Sequence, residues 1–374
     1  MISGHRSVAA ETPAHGGDIY GDPDLSVRIR NGKFIDFSVN TNPLGMPLPI
    51  VEALREQAGE FERYPDPHCR QLRSALVSWE GLNKEIYDEL IVCGNGSADI
   101  MFRLCHSRKP RQVVIASPSF SEYERAAREA GASISYHFLR EDEGFILSSR
   151  IIEEIRPGID MLFLANPNNP TGKIIPPDLI HEIIRRCAAT GTLLVMDECF
   201  LPFTDAVSAT ALFPEAPASL VVIKALTKTF CLAGLRMGYA ICGDRDIAAA
   251  LKDSGQYWSV SAPAQTAGLA ALQCGTWFAE SKKMIQEARA KLTEDLRALG
   301  LKVYESGANF LLFRLERLMP PPLEKRCFDR GFLIRPCGNF RGLDNRYYRV
   351  AVKTPEENQA LINGLRSALT EANR

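Results

Sequence analysis

The chain has 374 residues, 45% of them hydrophobic, and sets 44 lysines and arginines against 45 acidic residues for a formal net charge of -1. That length exceeds what one core usually holds, so one large and one smaller domain are expected, and the near-neutral balance, without a basic block, argues against a nucleic-acid partner. No apolar run reaches the roughly 18 residues of a membrane span, and the opening stretch MISGHRSVAAETPAHGG lacks the apolar core of a secretory signal.

Taken in chain order, ELIVCGNGSADIMFRL (Glu89 to Leu104) is a short apolar run, then Gly94-Asn95-Gly96-Ser97, then a helical pattern. Glycines at a strand-to-helix turn expose N–H groups that bind phosphate at a helix N-terminus, which makes Gly96 and Ser97 candidates. The third glycine of GxGxxG is missing, so this is not a dinucleotide fingerprint. QVVIAS (112–117) predicts a strand that leads into SPSFSEYERA, where Phe120 sits on a loop above the sheet and Tyr123 reads as packing on the next helix. DMLFLA (160–165) predicts a strand that breaks at Asn-Pro-Asn-Asn-Pro-Thr-Gly, a rigid turn presenting the Asn169 amide.

PPDLIHEIIRRCAATG predicts a helix with Leu179, Ile180, Ile183, Ile184 and Cys187 on one face and Gly191 as its stop. TLLVMDE (Thr192 to Glu198) then reads as a buried strand that delivers Asp197 at its carboxyl end. SLVVIK (219–224) and MGYAIC (237–242) predict two more strands. From about Pro263 the pattern changes to a long charged helix through Leu299, a strand at ANFLLFRL, a proline-rich turn at 320–322 and a strand at YYRVAV. A capping box, Thr354-Pro355-Glu356-Glu357, opens the last helix. The alternation implies an α/β fold with a largely parallel, doubly covered sheet and a smaller α+β domain. The expected division is an N-terminal arm and part of the small domain in 1–50, a large domain in 51–262 and the small domain in 263–374.

The stretch ALTKTFCLAGLRMGY (Ala225 to Tyr239) carries the chemistry. Lys228 stands eight residues before Arg236, with Thr227 beside the lysine and Gly234 and Gly238 around the arginine. A lysine amine forms a Schiff base with an aldehyde while a guanidinium fork grips a phosphate, so the candidate cofactor is pyridoxal 5'-phosphate. Asp197 can pair with a protonated pyridine nitrogen, and Asn169 can reach the ring's phenolic oxygen. Ten cysteines without a Cys-x-x-Cys pair read as reduced thiols of a cytoplasmic protein, with no metal site.

These segments resemble the fold-type I pyridoxal-phosphate enzymes of aminotransferase classes I and II. The resemblance makes Lys228 the Schiff-base lysine, Asp197 the pyridine partner, Asn169 the O3′ donor, Arg236 the phosphate arginine and Phe120 the stacking aromatic. It also implies a homodimer in which Tyr64, in RYPDP, reaches the partner's cofactor phosphate, and it makes Arg349 the arginine that receives the substrate's anionic group. Two positions depart from the family pattern. Ala225 replaces a hydroxyl three residues before the lysine, which leaves Ser97, Thr227 and Arg236 to hold the phosphate. Phe200 replaces a tyrosine three residues after the aspartate, which leaves Asn169 alone on O3′.

AHGGDI (Ala14 to Ile19), FSVNTNPLGMP (Phe37 to Pro47), RYPDP and GFLIRPCGNFRGLDNRYYRVAV resemble the threonine-phosphate decarboxylases of cobalamin biosynthesis and, less closely, the histidinol-phosphate aminotransferases. In the decarboxylases the substrate phosphate is held by groups that here would be His15, Arg335 and Arg349, with Asn40 in the same pocket. The resemblance therefore implies a phosphorylated amino acid as substrate. Decarboxylation and transamination both remain open on the cofactor residues, as does threonine phosphate against serine phosphate. A regulatory module on the same fold is disfavoured by the intact Lys228 and Asp197 and by the lack of a stretch that reads as a helix-turn-helix.

Overall fold

The computed structural model describes residues 15–20, 28–29, 31–32 and 34–370. The segment 1–14, on which the reading of a missing secretory core largely falls, lies outside the described residues.

Among the described residues thirteen strands form three sheets: β1 Ile35–Asp36, β2 Ile91–Asn95, β3 Gln112–Ser117, β4 Ser133–Phe138, β5 Met161–Ala165, β6 Leu193–Asp197, β7 Leu220–Ala225, β8 Met237–Cys242, β9 Lys302–Val303, β10 Phe310–Arg314, β11 Phe332–Leu333, β12 Arg335–Pro336 and β13 Tyr347–Ala351. The largest sheet has seven strands in the order β2-β8-β7-β6-β5-β3-β4. Strands β5 to β8 are buried at every residue, as expected for a sheet covered on both faces by helices.

The predicted strands at 112–117 and 237–242 are found at those residues, and those at 160–165, 192–197 and 219–224 within one residue at each end. One relationship differs from a uniformly parallel sheet: β8 runs antiparallel to both β2 and β7. Its approach from β7 is too short for a crossover, which needs a dozen or more residues, so the chain turns back on itself. The edge strand β4 has no counterpart among the predicted elements; its alternating, half-exposed residues carry a weak apolar signal.

The helix Pro177–Thr190 buries Leu179, Ile180, Ile183, Ile184 and Cys187 and ends at Gly191, whose φ of 73° is the left-handed C-cap that glycine favours. The long helix expected from Pro263 to Leu299 is two helices, Ala262–Ala271 and Gly275–Ala298, broken around Gln273 and Cys274. Gly275 opens the second of them, and glycine is a poor interior residue for a helix. The capping box is realised in both directions: Glu357 N–H donates to Thr354 Oγ1 at 3.3 Å and Thr354 N–H to Glu357 Oε2 at 3.2 Å.

The second sheet is antiparallel throughout, β12-β13-β10-β9, and β1 pairs in parallel with β11, which ties the chain's early residues to its late ones. One hydrophobic cluster runs from Leu164 and Met196 beneath the large sheet to Phe310 and Val350 of the small one. It fixes the two sheets against each other and leaves a cleft above the carboxyl ends of β5, β6 and β7. Among the described residues no helix is long and apolar enough to cross a membrane.

Candidate active site

The register of the large sheet brings the polar groups to one edge. Ala165 pairs with Asp197, Asp197 with Ile223, Ala225 with Gly238 and Asn95 with Met237, so five strand ends lie side by side. Connections leaving such an edge build binding sites, because backbone groups released from the sheet point into the crevice. Here they enclose a cavity of about 290 Å³. Lys228, Asp197, Asn169, Thr227, Arg236, Ser97 and Phe120 all line it from the large sheet. His15, Asn40, Arg335 and Arg349 line it from the opposite side.

Lys228 lies in the short helix Leu226–Thr229 that follows β7. Its carbonyl accepts the Asn42 N–H at 2.9 Å, and Asn42 Nδ2 donates to Thr229 O at 3.1 Å, so an early segment anchors this helix. Burial, helped by the nearby Arg349 guanidinium, pushes the Lys228 ammonium down to about 8. A substantial neutral fraction near physiological pH makes it a usable nucleophile.

Asp197 is 8% exposed and is held by two donors. The Cys199 N–H reaches Oδ1 at 2.9 Å, and the Tyr123 hydroxyl reaches Oδ2 at 2.6 Å. Tyr123 was expected to be a packing residue; it does stack on Phe163, but its hydroxyl is a partner of the central carboxylate. Its place three residues after Phe120, one helical turn on, was the available signal. Cys199 is buried, and burial pushes its thiol well up.

Gly96, with φ of 86°, precedes the helix Ser97–Arg108 and does not itself line the cavity. A Cβ there would stand 2.5 Å from an Arg236 guanidinium nitrogen, and a Cβ at Gly238 would stand 2.5 Å from Ser97 N. Both glycines are therefore required for the arginine and the helix N-terminus to meet. Thr227 donates to Met237 O at 3.4 Å, and Arg236 to Ala233 O at 3.2 Å.

On the opposite side, Arg349 donates through Nη2 to Ser38 O at 2.9 Å and through Nη1 to the Asn169 amide oxygen, leaving the Asn169 NH2 as the group to meet a ligand. With its amide oxygen turned toward Arg349, Asn40 accepts from Nε at 3.3 Å and Nη1 at 3.2 Å. Arg335 donates to Asn339 Oδ1 at 2.8 Å and to Pro336 O at 2.9 Å. Ser38 and Asn339 were not foreseen: Ser38 meets Arg349 through its carbonyl, and Asn339, though inside the segment 331–352, meets Arg335 only through the turn of that loop. Phe200 lines the cavity with its ring edge-on to Phe310 at 5.0 Å.

Tyr64 is not brought into this cavity. It is 78% exposed and stacks on Trp258 with centroids 4.3 Å apart.

A doubly covered sheet that gathers a half-buried lysine, a buried aspartate and a glycine-bounded anion cradle at its carboxyl edge has the fold and site of the pyridoxal-phosphate-dependent transferases. The model of the family "Aminotransferase class I and II" matches residues 32–365, and the chain belongs to that family. A threonine-phosphate decarboxylase of Salmonella typhimurium is 36% identical over 360 residues, 96% of this chain and 97% of that protein. A histidinol-phosphate aminotransferase of Desulfitobacterium hafniense is 34% identical over 344 residues, 88% and 91% of the two chains. Among solved structures, the histidinol-phosphate aminotransferase from Clostridium acetobutylicum has a TM-score of 0.83 at 28% identity, covering 90% of this chain and 99% of its own. The L-threonine-O-3-phosphate decarboxylase from Porphyromonas gingivalis has a TM-score of 0.79 at 26% identity, with the same coverage.

Pyridoxal phosphate is the cofactor of this family. The residues present fit it: an amine of lowered proton affinity, a buried carboxylate with its own donors, and a cradle kept open by Gly96 and Gly238.

Proposed function

We propose that this enzyme decarboxylates L-threonine O-3-phosphate to (R)-1-amino-2-propanol O-2-phosphate, a step of cobalamin biosynthesis. The observation that carries the reading is the buried pair Arg335 and Arg349, two guanidinium groups on neighbouring strands facing one cavity. Two such charges with His15 and Asn40 beside them suit a dianion better than a monoanion.

Bound in this cradle, pyridoxal phosphate supplies an electron sink conjugated to the substrate's Cα. Lys228 Nζ would attach the cofactor covalently and, once released and protonated to the ammonium, would be the group positioned to give a proton to Cα. Asp197, steadied by Tyr123 and Cys199, would pair with the pyridine nitrogen and favour its protonated form. The Asn169 amide donates to the phenolic oxygen, where Phe200 has no hydroxyl to help. Ser97, Thr227 and Arg236 would hold the cofactor phosphate, with Gly96 at the turn giving Arg236 room beside Ser97, Phe120 would cover the ring, and Tyr64 would serve the neighbouring subunit of a homodimer. With Arg335, Arg349 and His15 on the substrate phosphate, the α-carboxylate has no guanidinium partner and is free to align for cleavage.

The similarity to histidinol-phosphate aminotransferases supports a second reading, transamination of a phosphorylated amino compound at the same site. Release of carbon dioxide from threonine phosphate without a keto acid separates the two.

A further inference from the structure

The helix Ser121–Glu129 starts beside the cavity, and its first turn reaches separate parts of the site. Phe120 caps it, Tyr123 holds Asp197, and Glu122 holds His15. Glu122 is 6% exposed, unusual for a glutamate unless it is paired. Its Oε1 meets His15 Nε2 at 2.9 Å and Arg125 Nη1 at 2.9 Å. A carboxylate only accepts, so Nε2 donates to it and Nδ1 is the ring atom left, which donates to an anion when the ring carries both protons. The His15 ring also leans on Phe120, with centroids 5.6 Å apart.

The next residues are fastened to the other wall. Gly17 N–H donates to Ser38 Oγ at 2.9 Å, and a Cβ at Gly16 would stand 2.3 Å from Ser38 O, so only glycine lets the segment lie this close. That same Ser38 carbonyl accepts from Arg349 Nη2 at 2.9 Å.

We propose that Glu122 is a positioning residue: it fixes His15 at the cavity beside Arg349 and so makes a histidine from the early segment part of a preorganised anion site. The inference rests on the reading of His15 and Arg349 as holders of the substrate phosphate. Without Glu122 the segment keeps its backbone tie to Ser38, but the imidazole must be ordered by the ligand itself, at a cost in affinity.

The test compares wild type, Glu122→Gln, His15→Ala and the double variant, each loaded with pyridoxal phosphate. Inorganic phosphate and L-threonine phosphate are titrated while the cofactor absorbance is followed, with kcat and KM measured alongside. Each single change is expected to raise the phosphate Kd and the KM about tenfold, the effect of losing one charge-assisted hydrogen bond, with kcat little changed. The double variant is expected to be no weaker than His15→Ala, because Glu122 acts only through His15. Glu124→Gln is the control on the same turn: its carboxylate holds Arg341, so its effect should multiply with that of His15→Ala. Losses of Glu122→Gln and His15→Ala that multiply would overturn the proposal, as would a fall in kcat matching the rise in KM. The His15 ring signals in NMR spectra should broaden in Glu122→Gln, and in Glu122→Asp if the first variant folds poorly, while exchange of the Gly17 amide, tied to Ser38, stays as it was; ring signals as sharp as those of wild type would also overturn it. If wild type binds phosphate yet leaves threonine phosphate untouched, the decarboxylase reading fails, while the coupling still decides the role of Glu122.

Discussion

Arg335 and Arg349 are register partners on the adjacent antiparallel strands β12 and β13, and both are almost fully buried, at 3% and 6% exposure. Directly opposed residues lie on the same face of a sheet, where like charges repel. Burial, with Arg335 contributing, pulls the Arg349 guanidinium down to about 10. An anion between the two offsets that repulsion, so the pair is arranged for a ligand more than for the stability of the sheet.

Arg335→Ala is therefore expected to weaken L-threonine phosphate by about 1.5 to 3 kcal/mol, the loss of one charged hydrogen-bond partner, and to leave unphosphorylated threonine nearly unchanged. Binding titrations of both ligands to the cofactor-loaded protein measure this. Equal losses for the two would remove the phosphate from this pair.

Lys228 should make attachment of the cofactor pH-dependent. Its value of about 8 means that below this pH the amine is mostly protonated and cannot attack an aldehyde. The rate at which added pyridoxal phosphate forms its covalent absorbance band should rise about tenfold per pH unit and level off above about 8. Arg349→Gln removes a like charge and should move the midpoint upward. Lys228→Ala should give no band. A flat profile in wild type between about pH 6 and pH 9 would contradict the assignment.

Beneath the site, the Lys224 ammonium touches Glu80 and lies 3.5 Å from the fully buried Glu198. Ser208 Oγ donates to Glu198 at 2.5 Å and the Tyr239 hydroxyl to Glu80 at 2.5 Å. Lys224→Met would leave the buried Glu198 and the largely buried Glu80 without this counter-ion, which should cost about 3 to 5 kcal/mol of unfolding free energy in denaturant titrations at neutral pH. A loss below about 1 kcal/mol would mean that the neutral donors suffice.

Tyr64, Tyr257 and Trp258 form an exposed aromatic group at 78%, 61% and 45% exposure, the kind of surface that marks an interface. If Tyr64 completes a neighbouring subunit's site, mixing Tyr64→Ala with Lys228→Ala protein should restore activity, since a mixed dimer carries one unaltered site. Mixed dimers that form and stay inactive would place Tyr64 outside the chemistry.

The residues proposed for the cofactor were legible as a group because they sit at or just past strand ends, where an apolar run stops and a polar residue follows, as at Asp197 and, one helical turn beyond β7, at Lys228. The order of the strands was not legible, nor was the reversal of β8, since a short return reads no differently from a crossover until the pairing is seen. Tyr123 was misread because a tyrosine on a helix after a strand looks like any packing residue; only the strand geometry brings its hydroxyl to Asp197. Ser38 escaped because it meets Arg349 through its carbonyl, which every residue has, and meets Gly17 through a hydroxyl like any other serine's.

The measurement that tests the account most directly is carbon dioxide release from L-threonine phosphate by the pyridoxal-phosphate-loaded protein with no keto acid present. The expected result is sustained release over many turnovers, with aminopropanol phosphate formed in equal amount. A single half-reaction that stops with the cofactor aminated, and resumes only when 2-oxoglutarate is added, would contradict decarboxylation and assign the site to transamination.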